Sequence, residues 1–206
     1  MGAYFVKCII PKSGDNVERE RKFLVEQRPD NLSRYEHSLI RQGYLAIAND
    51  RGGVPVEVRL RRNDGQYLLA VKGGQGHSRV EEEMSIPARR FNSLWPLTSG
   101  RRIEKVRYDI PLGGLTIELD LYRGKLRGLM TAEAEFDSDR RLREFNPPAW
   151  LGREITGIKK FSNSELALAK RPPSGDRAGR EALRRAGRPF CRSPARLLDG
   201  MDIERA

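Results

Sequence analysis

Cysteine and histidine are nearly absent, at two residues each in 206. Cys8 and Cys191 stand close to opposite ends, so the chain is no disulfide scaffold, and free thiols in a reducing cytoplasm are the expectation. Cys8 lies in apolar sequence with no histidine near it, which argues against a catalytic thiol. His37 and His77 are isolated, so neither a zinc site nor a histidine-based triad has a constellation to stand on. Long apolar runs are missing too. No stretch approaches the roughly 18 to 20 uncharged apolar residues that a membrane-spanning helix needs. Gly73-Gly74-Gln75-Gly76 lacks the Lys-Ser/Thr of a P-loop and reads as a turn.

What is abundant is charge. One third of the residues are charged, and 39 basic against 28 acidic side chains give a formal net charge of +11. Such a balance makes polyanions the first partners to consider, without saying which. Leu, Ile, Val, Phe and Trp still recur in short runs, so a folded domain is expected rather than a disordered chain. The division expected is an N-terminal extension over 1–16, a domain over 17–170 and a basic tail over 171–206, partly disordered or helical. The tail carries eight arginines against five acids from Pro172 onward. Arg184, Arg185, Arg188, Arg192 and Arg196 there motivate a non-catalytic polyphosphate or nucleic-acid binder as a rival function. Sparse aromatics and the absence of a recognised module weigh against it.

Between Val17 and Lys160 the pattern predicts strands with a few short helices. Strands are expected at Val17–Glu26, Tyr44–Asn49, Val56–Arg62, Gln66–Lys72, Arg79–Ile86, Arg102–Ile110, Leu115–Tyr122 and Leu129–Phe136. Asn63-Asp64-Gly65 signals a hairpin. Helices are expected over Pro29–Gln42, Pro87–Trp95, Ser138–Glu144 with Ser138 as N-cap, and Ser162–Ala169.

The distinctive feature is charge with period two. Residues i and i+2 of a strand share a face. Glu18, Glu20 and Lys22 therefore share one, as do Arg59 with Arg61, Glu81 with Glu83, Lys105 with Arg107, Glu118 with Asp120, and Glu133 with Glu135. Lys72 ends its strand in the same manner. One such strand is ordinarily a solvated surface with cross-strand ion pairs. The set is harder to dismiss, because the opposite faces carry Val58, Leu60, Val106, Leu119, Leu121, Ala134 and Phe136. A closed antiparallel barrel with a wet, charged lumen satisfies both faces and removes the edges. The fold class expected is thus α+β, mainly β. Clustered carboxylates call for a hard divalent cation, Mg²⁺ or Mn²⁺. Interspersed Arg and Lys call for a phosphate chain. Apolar outward residues permit a homodimer.

In these residues the sequence resembles the CYTH superfamily, the triphosphate tunnel metalloenzymes. The E-x-E-x-K signature stands as Glu18, Glu20 and Lys22. It is followed in order by R-Q-G-Y-L (Arg41 to Leu45), V-R-L-R (Val58 to Arg61), Lys72, S-R-V-E-E-E (Ser78 to Glu83), R-R-I-E-K-V-R-Y (Arg101 to Tyr108), I-E-L-D-L-Y (Ile117 to Tyr122), A-E-A-E-F (Ala132 to Phe136) and K-F-S-N-S-x-L-A (Lys160 to Ala167). The compact length is similar to that of bacterial inorganic triphosphatases. The resemblance implies an eight-stranded tunnel and hydrolysis of inorganic triphosphate. It implies that Lys22, Arg59, Arg61, Lys72, Lys105, Arg107 and Lys160 (or Lys159) hold the substrate. It implies that Glu18, Glu20, Glu118, Asp120, Glu133 and Glu135 supply or support metal ligation, with two Mg²⁺ or Mn²⁺ per site when substrate is bound. Glu81 and Glu83 would line the tunnel, and Tyr44 with Lys105 would form a catalytic tyrosine–lysine pair. Alternatives inside the family are thiamine triphosphate, a nucleoside triphosphate or a class IV-type adenylate cyclase reaction, with Trp95, Phe145 and Trp150 as candidates for an organic half. Ile158 and Phe161 depart from the family's usual Asp and Tyr.

Overall fold

The computed structural model describes residues 19–49, 51, 53–74 and 80–173. The expected N-terminal extension, Glu18, Ser78, Arg79 and most of the expected tail lie outside them. Among the described residues nine strands form one antiparallel sheet: β1 (Glu20–Leu24), β2 (Glu36–Asn49), β3 (Pro55–Asn63), β4 (Gln66–Gly73), β5 (Val80–Ser85), β6 (Arg102–Leu112), β7 (Leu115–Tyr122), β8 (Met130–Glu135) and the two-residue β9 (Arg153–Glu154). The order is β5-β4-β3-β2-β6-β7-β8-β1-β9. Its hydrogen bonds run from β5 to β9 and stop there, so the described sheet is not hydrogen-bonded into a closed barrel. The helices are short: α1 (Ala88–Leu94), α2 (Asp139–Glu144) and α3 (Asn163–Leu168), with 3-10 turns between. None of the described helices is long and apolar enough to cross a membrane.

One element corrects the sequence reading. Pro29–Gln42 is not a helix. Leu32–Arg34 makes a single 3-10 turn, entered through Asn31 in the left-handed region at φ 58°, and extended Tyr35 ends it. From Glu36 the chain runs as β2, held between β3 and β6. Two flanking ladders outweigh the weak helical signal of E-H-S-L-I-R-Q, because propensity yields to tertiary pairing.

Local chemistry explains the other elements. Asp64 and Gly65 both take positive φ between β3 and β4, as a tight hairpin needs. Ser138 caps α2 by accepting from the Arg141 amide, and Ser162 caps α3 by accepting from Glu165. Gly43 lets β2 approach the 3-10 turn at Trp95–Thr98. A Cβ there would stand 2.6 Å from the hydroxyl of Thr98, a fully buried residue. A bulge in β2 between Tyr44 and Ala46 shifts the register, so that Ile47 rather than Ala46 faces Glu57.

Alternation then sorts the faces. Phe23, Ile110, Ile117, Leu119, Ala132, Ala134 and Phe136 form a buried cluster on one face, covered by Leu142, Phe145 and Trp150. Phe145 packs against Phe23 and Phe136, and Trp95 stacks on Phe91, so these aromatics serve packing. On the opposite face a second cluster joins Phe161, Leu166 and Ala167 to Tyr44, Ile103 and Tyr122. Those last three belong to the same alternating rows as the charged residues. The segment around α3 therefore closes one end of the charged face with apolar packing.

Candidate active site

Register carries the charges across the whole sheet. Direct cross-strand partners share a face. Glu81 is opposite Lys72, Lys72 opposite Glu57, Tyr44 opposite Arg59, Gln42 opposite Arg61 and Ile103, Ile40 opposite Lys105. Arg107 is opposite Asp120, Glu118 opposite Glu133, Lys22 opposite Glu133, and Glu20 opposite Glu135. Every sheet-borne residue read from the sequence as facing inward, Glu18 aside, thus occupies one continuous face.

The ion pairs form two groups on this face. In one, Arg59 reaches Glu81 and Glu83 at 3.3 Å each, and Lys72 reaches Glu81 at 2.6 Å. The Arg59 Nε is buried and has no hydrogen-bond partner among the described residues. In the other, Arg107 grips Asp120 with two bonds of 2.8 and 2.7 Å, and also bonds Glu118 and Glu133. Lys22 meets Glu133 at 2.7 Å. Lys105 donates to Asp120 at 2.5 Å, and both side chains are completely buried.

Burial and charge set the protonation of this second group. Burial pushes the Asp120 carboxyl up, but Lys105 and Arg107 outweigh it and hold the group at about 2. Burial lowers Lys105 to about 8, with Asp120 opposing the shift and Arg107 adding to it. Burial also pulls Arg107 down, and Asp120, Glu118 and Glu133 more than reverse that. Glu118 is raised by burial and by its acidic neighbours, against Arg107. Glu133 is lowered, because Lys22 and Lys105 overcome its burial. Glu118 is the carboxylate of this group pushed toward accepting a proton.

Tyr44 and Lys105 lie on the same face but keep separate company. Tyr44 is 1% exposed and accepts a 2.8 Å hydrogen bond from Gln42. Lys105 stands opposite Ile40, bonds Asp120, and places its ammonium 5.6 Å from the Tyr122 ring centre. Lys160 lies on a 3-10 turn, Lys159–Phe161, rather than on a strand, with its ammonium 5.4 Å from the Phe161 ring centre. Lys159 is 87% exposed at its side chain and pairs with Glu165.

Sequence reasoning missed Gln42 and Glu57. Gln42 is fully buried at the middle of the face. Its position two residues before Tyr44, inside R-Q-G-Y-L, was the available signal, hidden by the helical reading of that segment. A cavity of about 440 Å³, lined among others by Arg41, Trp95, Arg102, Arg123 and Lys125, contains none of the inward carboxylates.

The donor set suits a hard cation. Two acidic pairs, Glu20 with Glu135 and Glu118 with Glu133, stand directly opposite each other in adjacent ladders. Like charges so placed repel, and a cation relieves them. Among the described residues no three such groups converge as a ready-made metal site. In this state Arg107 and Lys22 take the carboxylate oxygens instead.

No family model matches the chain. An inorganic triphosphatase from Nitrosomonas europaea is 42% identical to it over 154 residues, 74% of this chain and 97% of that protein. The chain belongs to the inorganic triphosphatase family. A second inorganic triphosphatase, from Acetivibrio thermocellus, is 36% identical over 151 residues, 72% of this chain and 92% of its own. A solved crystal structure of an inorganic triphosphatase superposes with a TM-score of 0.61 at 40% identity, covering 78% of this chain and all of that one. Family membership agrees with the ordered motifs that resemble the CYTH superfamily.

Proposed function

We propose that the chain hydrolyses inorganic triphosphate to pyrophosphate and phosphate on this charged face. The observation that carries the reading is the buried Arg59 Nε, a donor still wanting an acceptor, in a face whose cations are otherwise matched to carboxylates or to Gln42. The family's activity supports it.

The ion pairs suggest how ligands enter. Lys22, Arg59, Lys72 and Arg107 turn N–H groups from Glu133, Glu81, Glu83 and Glu118 to phosphate oxygens, while Arg61 keeps its bond to Gln42, and Lys105 and Arg107 keep theirs to Asp120, each offering its remaining N–H groups to the phosphates. Arg contributes bidentate contacts and Lys point charges. Glu118 and Glu133, released in this way, would hold Mg²⁺ or Mn²⁺ together with Glu20 and Glu135, which stand beside them in the ladders, and with Glu18 as a further ligand in the signature. Bound there, the cation supplies charge neutralisation and an activated water. Asp120 is locked by Lys105 and Arg107, so its role is to fix those two cations. Water attacks a terminal phosphorus, the phosphoanhydride bond breaks, and pyrophosphate leaves. Positioning and charge stabilisation do most of the work in such a transfer. The bases of β3 and β4 hold one stretch of the chain of phosphates and those of β6 and β1 the other. On this reading the sheet curls into a tunnel around the ligand, bringing β5 toward the β1–β9 edge.

Phosphate release from triphosphate, pyrophosphate, ATP and thiamine triphosphate, each with Mg²⁺ and with Mn²⁺, tests the assignment. Triphosphate is expected to be the best substrate. A stronger response to thiamine triphosphate or ATP would replace it.

A further inference from the structure

Gln42 is completely buried and connects two groups that matter. Arg61 Nε donates to its Oε1 at 3.1 Å, and its Nε2 donates to the Tyr44 hydroxyl oxygen at 2.8 Å. The amide orientation follows from chemistry. A guanidinium only donates, so the carbonyl oxygen must face Arg61 and the NH₂ must face Tyr44. The Tyr44 oxygen is therefore an acceptor within the protein, and its hydrogen is left for a further acceptor. Arg59 and Arg61, the cations beside it, cannot take that hydrogen, because neither has an acceptor atom. Of the groups acting on Tyr44, Glu57 alone is an anion, and it does so through charge rather than a hydrogen bond. A phosphate oxygen drawn in by Arg59 and Arg61 is the acceptor this geometry fits.

We propose that Gln42 is a positioning residue that turns the Tyr44 hydroxyl outward as a hydrogen-bond donor to a phosphate oxygen of the substrate. The inference rests on the triphosphatase reading above. Arg61, Gln42 and Tyr44 make a chain of hydrogen bonds all pointing the same way, and each bond polarises the next. Arg61 sets the amide, the amide sets the hydroxyl, and the hydroxyl addresses the ligand. Gln42 itself touches no substrate. Its buried position between β3 and β6 keeps the chain rigid.

Gln42→Glu tests this with little change of shape. The carboxylate still accepts from Arg61 but has no hydrogen to give Tyr44, so the Tyr44 hydroxyl turns back to donate to it. Expected is a loss of kcat of about tenfold to a hundredfold. In a Tyr44→Phe background the same substitution is expected to change kcat by less than about twofold. An effect of the added negative charge on substrate binding would raise KM equally in both backgrounds. Gln42→Met, which removes both bonds, is the second variant and follows the same rule on kcat. A kcat loss of equal size in the wild-type and Tyr44→Phe backgrounds would overturn the proposal, as would unchanged kcat in Gln42→Glu. Should Tyr44→Phe lack measurable turnover, the tyrosine absorbance difference on adding triphosphate decides. It is expected in the wild type and lost in Gln42→Glu, and an identical difference in both proteins refutes the role. Wild-type protein that is folded and releases no phosphate from triphosphate refutes the functional reading instead.

Discussion

Lys105 and Asp120 touch at zero exposure, yet they are not equivalent. Removing Asp120 strands a buried ammonium, whereas removing Lys105 leaves Asp120 still held by both arms of Arg107. Asp120→Asn is therefore expected to cost about 3 kcal/mol of unfolding free energy, and Lys105→Met about 1 kcal/mol, measured by urea denaturation. The pH dependence follows from the same residue. The Asp120 carboxyl is held at about 2 in the fold, below its ordinary 3.8. The unfolded chain thus binds the proton first, and the stabilisation present above the ordinary value is lost as pH falls. Wild type is expected to lose about 2 kcal/mol relative to Asp120→Asn between about pH 5 and about pH 2. A constant difference across that range would contradict it. At this scale the sequence was informative wherever charges alternate. Period two places Arg59 with Arg61, Lys105 with Arg107, Glu118 with Asp120 and Glu133 with Glu135 on one face of each strand, and the register joins those faces into one. Gln42 was illegible because its importance lies in its two side-chain partners, which spacing alone does not reveal.

Among elements, β7 was legible to the residue, and β3, β4, β5, β6 and β8 to within a residue or two, because each alternates between turn signals. β2 was not. Its first half lacks an alternating apolar row, and Ser38, Ile40 and Gln42 face inward only because β6 and β3 hold them there. Sheet closure was also beyond the sequence: alternation says which side chains share a face, and nothing about which edge strands meet. Gly43 shows how tightly β2 is placed. Gly43→Ala is expected to cost about 1 to 3 kcal/mol, since its Cβ must displace the Thr98 hydroxyl, which bonds Trp95 and Arg102. Thermal unfolding checks it, and an unchanged midpoint would mean that the turn yields freely. The tunnel reading makes its own prediction for β5, whose outer flank has no strand partner among the described residues. Amide exchange in Val80–Ser85 is expected to slow when triphosphate and Mg²⁺ are added together. Exchange that stays as fast would leave the sheet open around its ligand.

For the whole molecule, the net charge of +11 first pointed to a polyanion. The structure relocates that inference. The face that matters is one where cations and carboxylates pair almost one for one, and the proposed function has those pairs separate toward an anion and a metal. The relatives match 154 and 151 residues and nearly their whole lengths, which is about three quarters of this chain. The most direct test of the account is the steady-state rate of phosphate release from inorganic triphosphate with Mg²⁺, measured for wild type beside Arg107→Ala. The account predicts turnover by the wild type and a loss of kcat/KM of about 10²- to 10³-fold in the variant, the usual cost of a preorganised charge partner. Folded wild-type protein without turnover, or a variant as active as wild type, would contradict it.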